Sequence, residues 1–137
     1  MLQQLAGFKT EPLPIKGQNR VAAQCHRALA AAEQRLTGSN KMPLTEADVL
    51  YLLEEVFRSR AVAPPLAVTQ RPVMLRWRKD RGVEWDNLVI FEKDEAARHE
   101  ELCLAGDADP REVWGREVAE LVERRFKEER RVRAYRL

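Results

Sequence analysis

The sequence predicts an α+β fold in which four helices pack on a small antiparallel sheet. Two patterns support this prediction. Four segments repeat apolar residues at helical spacing, and residues 73–91 alternate apolar and polar residues on either side of a turn. The length of 137 residues suits one ordinary domain, and 45% hydrophobic residues is a globular composition. We therefore expect an extended N-terminal arm over residues 1–18 and a single domain over residues 19–137.

The arm is predicted from its prolines. Pro12 and Pro14 lack a backbone N–H and restrict φ, so they disfavour a helix and favour an extended path. Its apolar side chains would add an edge strand, cover the core or dock on a partner, and these three alternatives stay open.

The first two helices are predicted from their boundaries. The first covers residues 20–36, with Asn19 as N-cap and Gly38 in the left-handed position after its end. The second begins at Thr45, whose hydroxyl would form a capping box with Asp48. Residues 61–72 after this helix contain paired prolines and are predicted to be a linker.

The alternation around residue 82 predicts a β-hairpin whose turn has Gly82 in the left-handed position. A bulge at residues 86–87 would explain why the apolar phase slips after the turn. The predicted cross-strand pairs are Trp77 with Trp85, Arg78 with Glu84, and Arg76 with Asp86.

Two further helices complete the predicted fold. The third covers residues 94–104 and ends before Gly106. The fourth begins at Asp109, with Pro110 in its first turn, and runs to the end of the chain. Three pairs of opposite charge at i,i+4 spacing should stabilise its exposed face. They are Glu120–Arg124, Glu123–Lys127 and Glu129–Arg133.

Residue types that carry catalysis or bind metals do not form a recognisable site. His99 and Cys103 lie four residues apart, but Cys25 and His26 would have to complete the zinc set, and neighbouring helical residues point about 100° apart. The segment from His99 to Cys103 also lacks the second histidine of the helical metalloprotease signature. We therefore expect a protein that is not an enzyme and uses no cofactor or metal.

The cellular location is predicted from the cysteines and from two missing signals. Two cysteines are too few for a disulfide-stabilised secreted domain. The first residues lack the features of a signal peptide, and no apolar run reaches the length of a membrane span. We expect a cytoplasmic protein.

Charge is segregated along the second half of the chain. Residues 92–123 contain eleven acidic and four basic residues, whereas residues 124–136 contain seven basic and two acidic ones. The basic residues suit the negative end of the helix dipole, and they exceed what that end requires. The candidate partner-binding residues are Arg124, Arg125, Lys127, Arg130, Arg131, Arg133, Tyr135 and Arg136 on the last helix, and Arg76, Arg78, Lys79 and Arg81 on the hairpin.

These features favour a small docking or regulatory protein that binds a larger protein or protein–nucleic-acid complex by surface complementarity. One alternative is a direct nucleic-acid-binding protein that uses the basic hairpin and the Arg-rich last helix. On the opposing interpretation the hairpin tryptophans are core, and Arg76 and Arg78 pair with Asp86 and Glu84. A structural subunit of an oligomer is the third alternative.

Two stretches carry a resemblance to a known class of proteins. They are Met1-Leu2-Gln3-Gln4-Leu5-Ala6-Gly7-Phe8 and Pro72-Val73-Met74-Leu75-Arg76-Trp77-Arg78-Lys79. In size, arginine usage and order of elements, the chain resembles small phage-encoded proteins that bind and redirect bacterial RNA polymerase. The resemblance implies a transcription inhibitor or specificity switch that acts on the polymerase or its σ factor, in the cytoplasm of the bacterial host.

Overall fold

The computed structural model describes residues 16–63, 65, 67–69 and 71–136, with side chains from Arg20 to Ala134 within these ranges. Residues 1–15 of the predicted arm lie outside the described residues, whereas residues 16–18 belong to a helix and not to the arm. The α+β class is confirmed, because this part of the chain holds five α-helices and two antiparallel sheets of two strands each.

Helix α1 (Lys16–Thr37) lies against the main sheet, which residues 72–76 and 88–92 form, through a face of mostly small side chains. Ala22, Cys25, Leu29 and Ala32 recur at helical spacing and are buried. Small residues on this face allow the helix backbone to lie close to the strands.

Both predicted helix boundaries around the next loop are confirmed. Gly38 follows α1 with φ of 76°, in the left-handed region. Thr45 and Asp48 form the reciprocal capping box, with N···O distances of 3.1 and 2.9 Å. Helix α2 (Glu46–Tyr51) follows and continues as the π-helical turn Leu52–Val56.

A tight turn leads from α2 into a small hairpin that the sequence did not predict. Arg58 and Ser59 take φ of 53° and 58°, which is unusual for residues with a side chain. Strand β1 (Arg60–Ala61) then pairs with β2 (Ala67–Val68). The predicted linker over residues 61–72 therefore contains part of an ordered hairpin.

The predicted main hairpin is confirmed, but its register is wrong by two residues, and Gly82 is not in the predicted left-handed conformation. Strand β3 (Pro72–Arg76) pairs antiparallel with β4 (Leu88–Glu92), and Arg76 lies opposite Leu88, not Asp86. The reason is a longer connection, because Trp85–Asn87 forms a 3₁₀ turn and not strand.

Asn87 holds this connection together. Its side-chain oxygen accepts from the Arg78 N–H at 3.0 Å, and its amide nitrogen donates to the carbonyls of Arg78 and Gly82, each at 3.0 Å. The Trp77 N–H donates to the Asn87 carbonyl at 2.8 Å. The apolar pattern changes phase at residues 86–87 because the chain forms this turn there. The predicted bulge is therefore wrong.

The next helix follows the sheet directly. Helix α3 (Lys93–His99) continues as the π-helical turn Glu100–Leu104. This agrees with the predicted third helix to within one residue at its start.

The predicted fourth helix is divided in two. It begins as predicted, because Asp109 caps it by accepting from the Arg111 N–H at 2.9 Å. Helix α4 (Pro110–Trp114) ends after five residues at Gly115, where φ is 89°, and helix α5 (Arg116–Arg136) begins after this break. The described chain therefore has five helices where we predicted four.

The core lies around β4. Its first four residues, 88–91, are all fully buried, so both faces of the sheet are covered. Helix α1 packs on β3, α3 packs on both strands, and the Val62 N–H donates to the Ile90 carbonyl at 2.9 Å, which joins the small hairpin to β4. Within the described part of the chain, no helix combines the length and apolar character needed to span a membrane.

Candidate functional site

Helix α5 carries most of the predicted partner-binding residues, and one of its faces belongs to the core. Val118, Ala119, Val122 and Phe126 are buried on that face. The remaining faces of the helix are rich in charged residues. Charged side chains that bind other residues of this chain are not free to bind a partner. We therefore separate the cations of α5 by their contacts.

Three arginines on α5 are used inside the protein. Arg125 donates to the Val56 carbonyl. Arg130 donates to Asp86 at 2.9 Å. The guanidinium of Arg133 lies 3.3 Å from the centroid of the Trp85 ring, in a cation–π contact. Together these arginines hold α5 against α2 and against the connection between β3 and β4.

Three other cations on α5 have no partner among the described residues. Arg124, Lys127 and Arg131 are exposed, and none has a hydrogen bond, ion pair or ring contact there. They lie at i, i+3 and i+7, which places them on one side of the helix. We call these three residues the basic stripe.

The predicted partners of the basic stripe bind elsewhere in the described part of the chain. Glu120 pairs with Arg116 at 3.1 Å, and Glu123 pairs with Arg111 on α4. The predicted pairs Glu120–Arg124 and Glu123–Lys127 are therefore wrong. The pair Glu129–Arg133 does form, at 3.5 Å.

The hairpin cations are placed differently from the prediction. Arg76 is only 5% exposed and donates from Nε to Glu33 on α1 at 2.8 Å. Its Nη1 donates to the Lys79 carbonyl at 3.0 Å and the Arg81 carbonyl at 2.8 Å, which holds the hairpin connection. Arg76 is therefore a core residue and is not on a contact surface.

The other hairpin cations are exposed or half-buried and paired locally. Arg78 makes a bidentate contact with Asp80, at 3.0 and 2.9 Å. Lys79 contacts Asp107 and donates to the Gly106 carbonyl at 2.9 Å. The predicted pairing of Arg78 with Glu84 is wrong, as is that of Arg76 with Asp86.

Asp86 joins the hairpin to α5. It accepts from Arg81 and Arg130, at 2.8 and 2.9 Å. Partial burial opposes its ionisation, but the hydrogen bonds from Arg130 and Arg81 outweigh this and lower the pKa of Asp86. One carboxylate thus links two guanidinium groups from different elements.

A groove of about 360 Å³ runs between the hairpin connection and α5. It brings together members of both predicted basic clusters, because Arg78 and Arg81 line one wall and Lys127 and Arg130 line the other. The groove therefore continues the basic stripe toward the sheet, with Lys127 belonging to both.

A second groove, of about 590 Å³, lies on the other side of the contact between Arg130 and Asp86. Its walls are mostly apolar and include Leu44, Val83 and Trp85. Tyr51 packs edge-on against Trp85, with ring centroids 5.6 Å apart. Trp77 is buried in the core. Both hairpin tryptophans therefore pack against other residues of this protein.

Tyr135 and Arg136, also predicted to bind a partner, lie in the last turn of α5. Their side chains are outside the described residues, so their roles stay predictions.

His99 is a core residue that the sequence did not identify as such. It is fully buried, its Nε2 donates to the Arg76 carbonyl at 2.9 Å, and its Nδ1 accepts from the Trp114 indole at 2.9 Å. Burial lowers the pKa of His99 to about 4, against hydrogen bonds that raise it. Both ring nitrogens are therefore used in packing α3 and α4 against the sheet.

The residues considered for zinc are dispersed. His26 donates to the Leu44 carbonyl at 2.7 Å, and the Cys25 thiol donates to the Pro72 carbonyl at 3.2 Å. Burial raises the pKa of Cys25 to about 11. Among the residues that the structure describes, no group of three or more His, Cys, Asp or Glu side chains is arranged to hold a metal ion.

Comparison with known proteins gives two yeast relatives with the same enzyme name. The chain is 31% identical over 129 residues to tRNA threonylcarbamoyladenosine dehydratase 2 of Saccharomyces cerevisiae, and the match covers 91% of this chain. It is 23% identical over 133 residues to tRNA threonylcarbamoyladenosine dehydratase 1 of the same yeast, covering 94% of this chain. The chain spans only 28% and 30% of these two relatives. No family model and no solved structure matches the chain.

These relatives overturn the function expected from the sequence. They are named for an enzyme that acts on tRNA, so the expectations of a non-enzymatic protein and of a regulator of RNA polymerase are wrong. They are yeast proteins, which contradicts the expected viral origin. Neither alternative, a stand-alone nucleic-acid-binding protein or a structural oligomer subunit, gains support from them.

Proposed function

We propose that this chain is a segment of a tRNA-modifying enzyme that removes water from threonylcarbamoyladenosine in tRNA. The observation that carries the proposal is the pair of matches to yeast proteins of that name, each covering more than nine tenths of this chain. Because the matches cover less than a third of each relative, the proposal concerns the whole enzyme, of which this chain is one part.

The structure favours a substrate-holding role for this segment. A dehydratase that works on tRNA must hold a large polyanion while a single nucleoside reacts. Helix α5 is attached to the core and has three cations without a partner among the described residues, and this arrangement suits a polyanionic substrate. His99 has a structural role instead, because both of its ring nitrogens are already hydrogen-bonded.

A chimera tests the proposed function. In yeast dehydratase 2, the region that matches this chain is replaced by this chain, and the chimera is expressed in yeast lacking dehydratase 2. Digested tRNA is then analysed by mass spectrometry for the ratio of dehydrated to intact threonylcarbamoyladenosine. We expect the chimera to restore the dehydrated nucleoside, whereas dehydratase 2 with the region deleted should not.

The control measures whether the chimera folds. If the chimera accumulates to the level of wild-type dehydratase 2 and resists limited proteolysis, yet the dehydrated nucleoside stays absent, the proposed function is wrong. If the deletion protein is as active as the wild type, this region has no part in the reaction, and the proposal fails on that ground.

A further inference from the structure

We infer that the basic stripe, formed by Arg124, Lys127 and Arg131, contacts the phosphodiester backbone of the tRNA substrate. The inference rests on the proposed function, since tRNA enters through the names of the relatives. It goes further by assigning the tRNA contact to one side of one helix.

The three cations form a continuous surface. Their spacing places them within a narrow sector of α5, on the side opposite the buried residues Val122 and Phe126. Seven residues of α-helix separate the first from the last, a rise of roughly 10 Å. A polyanion lying along α5 would therefore meet all three charges at once.

The stripe is available to bind phosphate because no described residue pairs with its three side chains. The two glutamates that would neutralise it at i,i+4 spacing, Glu120 and Glu123, are bound to Arg116 and Arg111. Glu128 lies four residues after Arg124 and three before Arg131, and makes no ion pair with either. Phosphate oxygens would therefore meet cations that need not first release a partner.

Helix α5 is also held firmly on its other side. Arg125, Arg130 and Arg133 attach it to α2 and to the hairpin connection through a backbone carbonyl, a carboxylate and an indole ring. The stripe is thus presented on a supported helix, which limits the ordering cost of binding.

The groove beside the stripe extends the same surface. Lys127 lines it together with Arg78, Arg81 and Arg130, and Asp86 is shared between the last two. Asp86 and Glu123 line the same groove, so its four cations outnumber its two carboxylates.

The chemistry of the stripe favours phosphate over an acidic protein surface. Protein interfaces rely on apolar or aromatic anchors in a water-excluded centre. The stripe is instead surrounded by exposed charged residues, among them Glu120, Glu123 and Glu128. Phosphate contacts tolerate hydrated, exposed cations, because release of counterions drives the binding.

A charge-reversal experiment tests the inference on the full chain. Binding of an unmodified tRNA transcript is measured by fluorescence anisotropy for wild type and for the triple variant R124E/K127E/R131E. The matched control, R27E/K41E/K93E, reverses three exposed cations on other parts of the chain whose side chains also have no partner among the described residues. It changes the net charge by the same amount.

We expect the stripe variant to bind tRNA at least about tenfold more weakly at ~0.15 M salt. The slope of log affinity against log salt should fall in magnitude by roughly two to three, as expected for three lost phosphate contacts. The control should change both quantities much less. An equal loss in the two variants would overturn the inference, because it would show only an effect of net charge.

Two further outcomes separate the possibilities. Poly-L-glutamate that binds the stripe as tightly as tRNA at the same salt would overturn the inference in favour of an acidic protein partner. The conservative variant R124K/K127R/R131K should retain binding, and its failure would show that the stripe acts through something other than charge.

The same variants in the chimera distinguish this inference from the proposed function. If the wild-type chimera dehydrates tRNA and the stripe variant does so equally well, the stripe inference fails and the proposed function stands. If the chimera is inactive but the isolated chain still loses tRNA affinity only with the stripe variant, the function fails and the tRNA surface stands.

Discussion

Arg76 and Glu33 form an ion pair inside the core, between β3 and α1. Each side chain is less than a tenth exposed, and the Nε–Oε2 distance is 2.8 Å. Arg76 also binds two carbonyls of the hairpin connection, at 3.0 and 2.8 Å. The pair therefore links three parts of the fold: the strand, the helix and the connection that reaches α5.

Removal of one partner should be more harmful than removal of both. Glu33→Ala leaves a buried guanidinium without its carboxylate, and we expect the free energy of unfolding to fall by about 3–5 kcal/mol. Glu33→Leu combined with Arg76→Met should cost less than the sum of the single changes, because no unpaired charge remains. Urea denaturation of the four proteins measures this coupling, and strict additivity would contradict the role assigned to the pair.

His99 should make the stability depend on pH. Its pKa is about 4 when folded, against 6.5 as the ordinary value, so the unfolded chain takes up the proton first as the pH falls. Stability is therefore full above about pH 6.5 and is lost between pH 6.5 and 4, by about 3 kcal/mol in total.

The measurement compares wild type with His99→Phe by urea denaturation across this pH window. The variant loses two hydrogen bonds and should be less stable at pH 7, but its free energy of unfolding should fall less steeply with pH. Since the carboxylates titrate in both proteins, the difference between the two curves isolates His99. Parallel curves would show that the ring is not kept neutral by burial.

At the scale of elements, Gly115 decides how the C-terminal part of the chain is arranged. Its φ of 89° and ψ of 170° lie in a region that is essentially restricted to glycine. A Cβ at this position would meet nothing within 4 Å, so the restriction is conformational and not steric crowding by neighbours. The break between α4 and α5 therefore depends on the backbone of one residue.

We expect Gly115→Ala to lower the free energy of unfolding by about 1–3 kcal/mol. Gly82→Ala is the matched control, because Gly82 does not have positive φ and its added Cβ would come no closer than 3.9 Å to Glu84. Thermal and urea unfolding should show a clear loss for the first and little change for the second. Equal effects would mean that the break does not need glycine.

The elements that local chemistry determines were predictable. The capping box of Thr45 and Asp48 and the start of α4 at Asp109 are specified by neighbouring residues, and both are confirmed. The hairpin register could not be predicted in this way, because the turn depends on Asn87, whose side chain hydrogen-bonds backbone groups five and nine residues away. Gly115 was missed because its φ is set by how two helices pack, and the sequence pattern continues through it.

The candidate site was predictable in composition and not in arrangement. The cations of α5 were identified from the charge pattern, but their pairing depends on the fold. Glu123 pairs with Arg111 across the break at Gly115, and the buried Arg76 pairs with Glu33 on α1. The enzyme for which the relatives are named could not be read from the residue types of this chain, which spans less than a third of each relative.

At the scale of the molecule, the contacts of α5 join its parts into one unit. Arg130 binds Asp86 in the hairpin connection, Arg76 ties that connection to α1, and Arg133 covers Trp85 beside α2. The connection between β3 and β4 is thus joined to α5 directly and to α1 through Arg76. This arrangement leads us to expect that the described chain unfolds in one cooperative step.

Two probes in one urea titration test this expectation. Far-UV circular dichroism follows the helices, and tryptophan fluorescence follows three junctions, because Trp77 is in the core, Trp85 lies between α2 and α5, and Trp114 packs on Phe91. The two midpoints should coincide, as they do for a two-state domain. Loss of helical signal at lower urea than the fluorescence change would show that helical structure is lost before the tryptophan junctions open, which would contradict a single cooperative step.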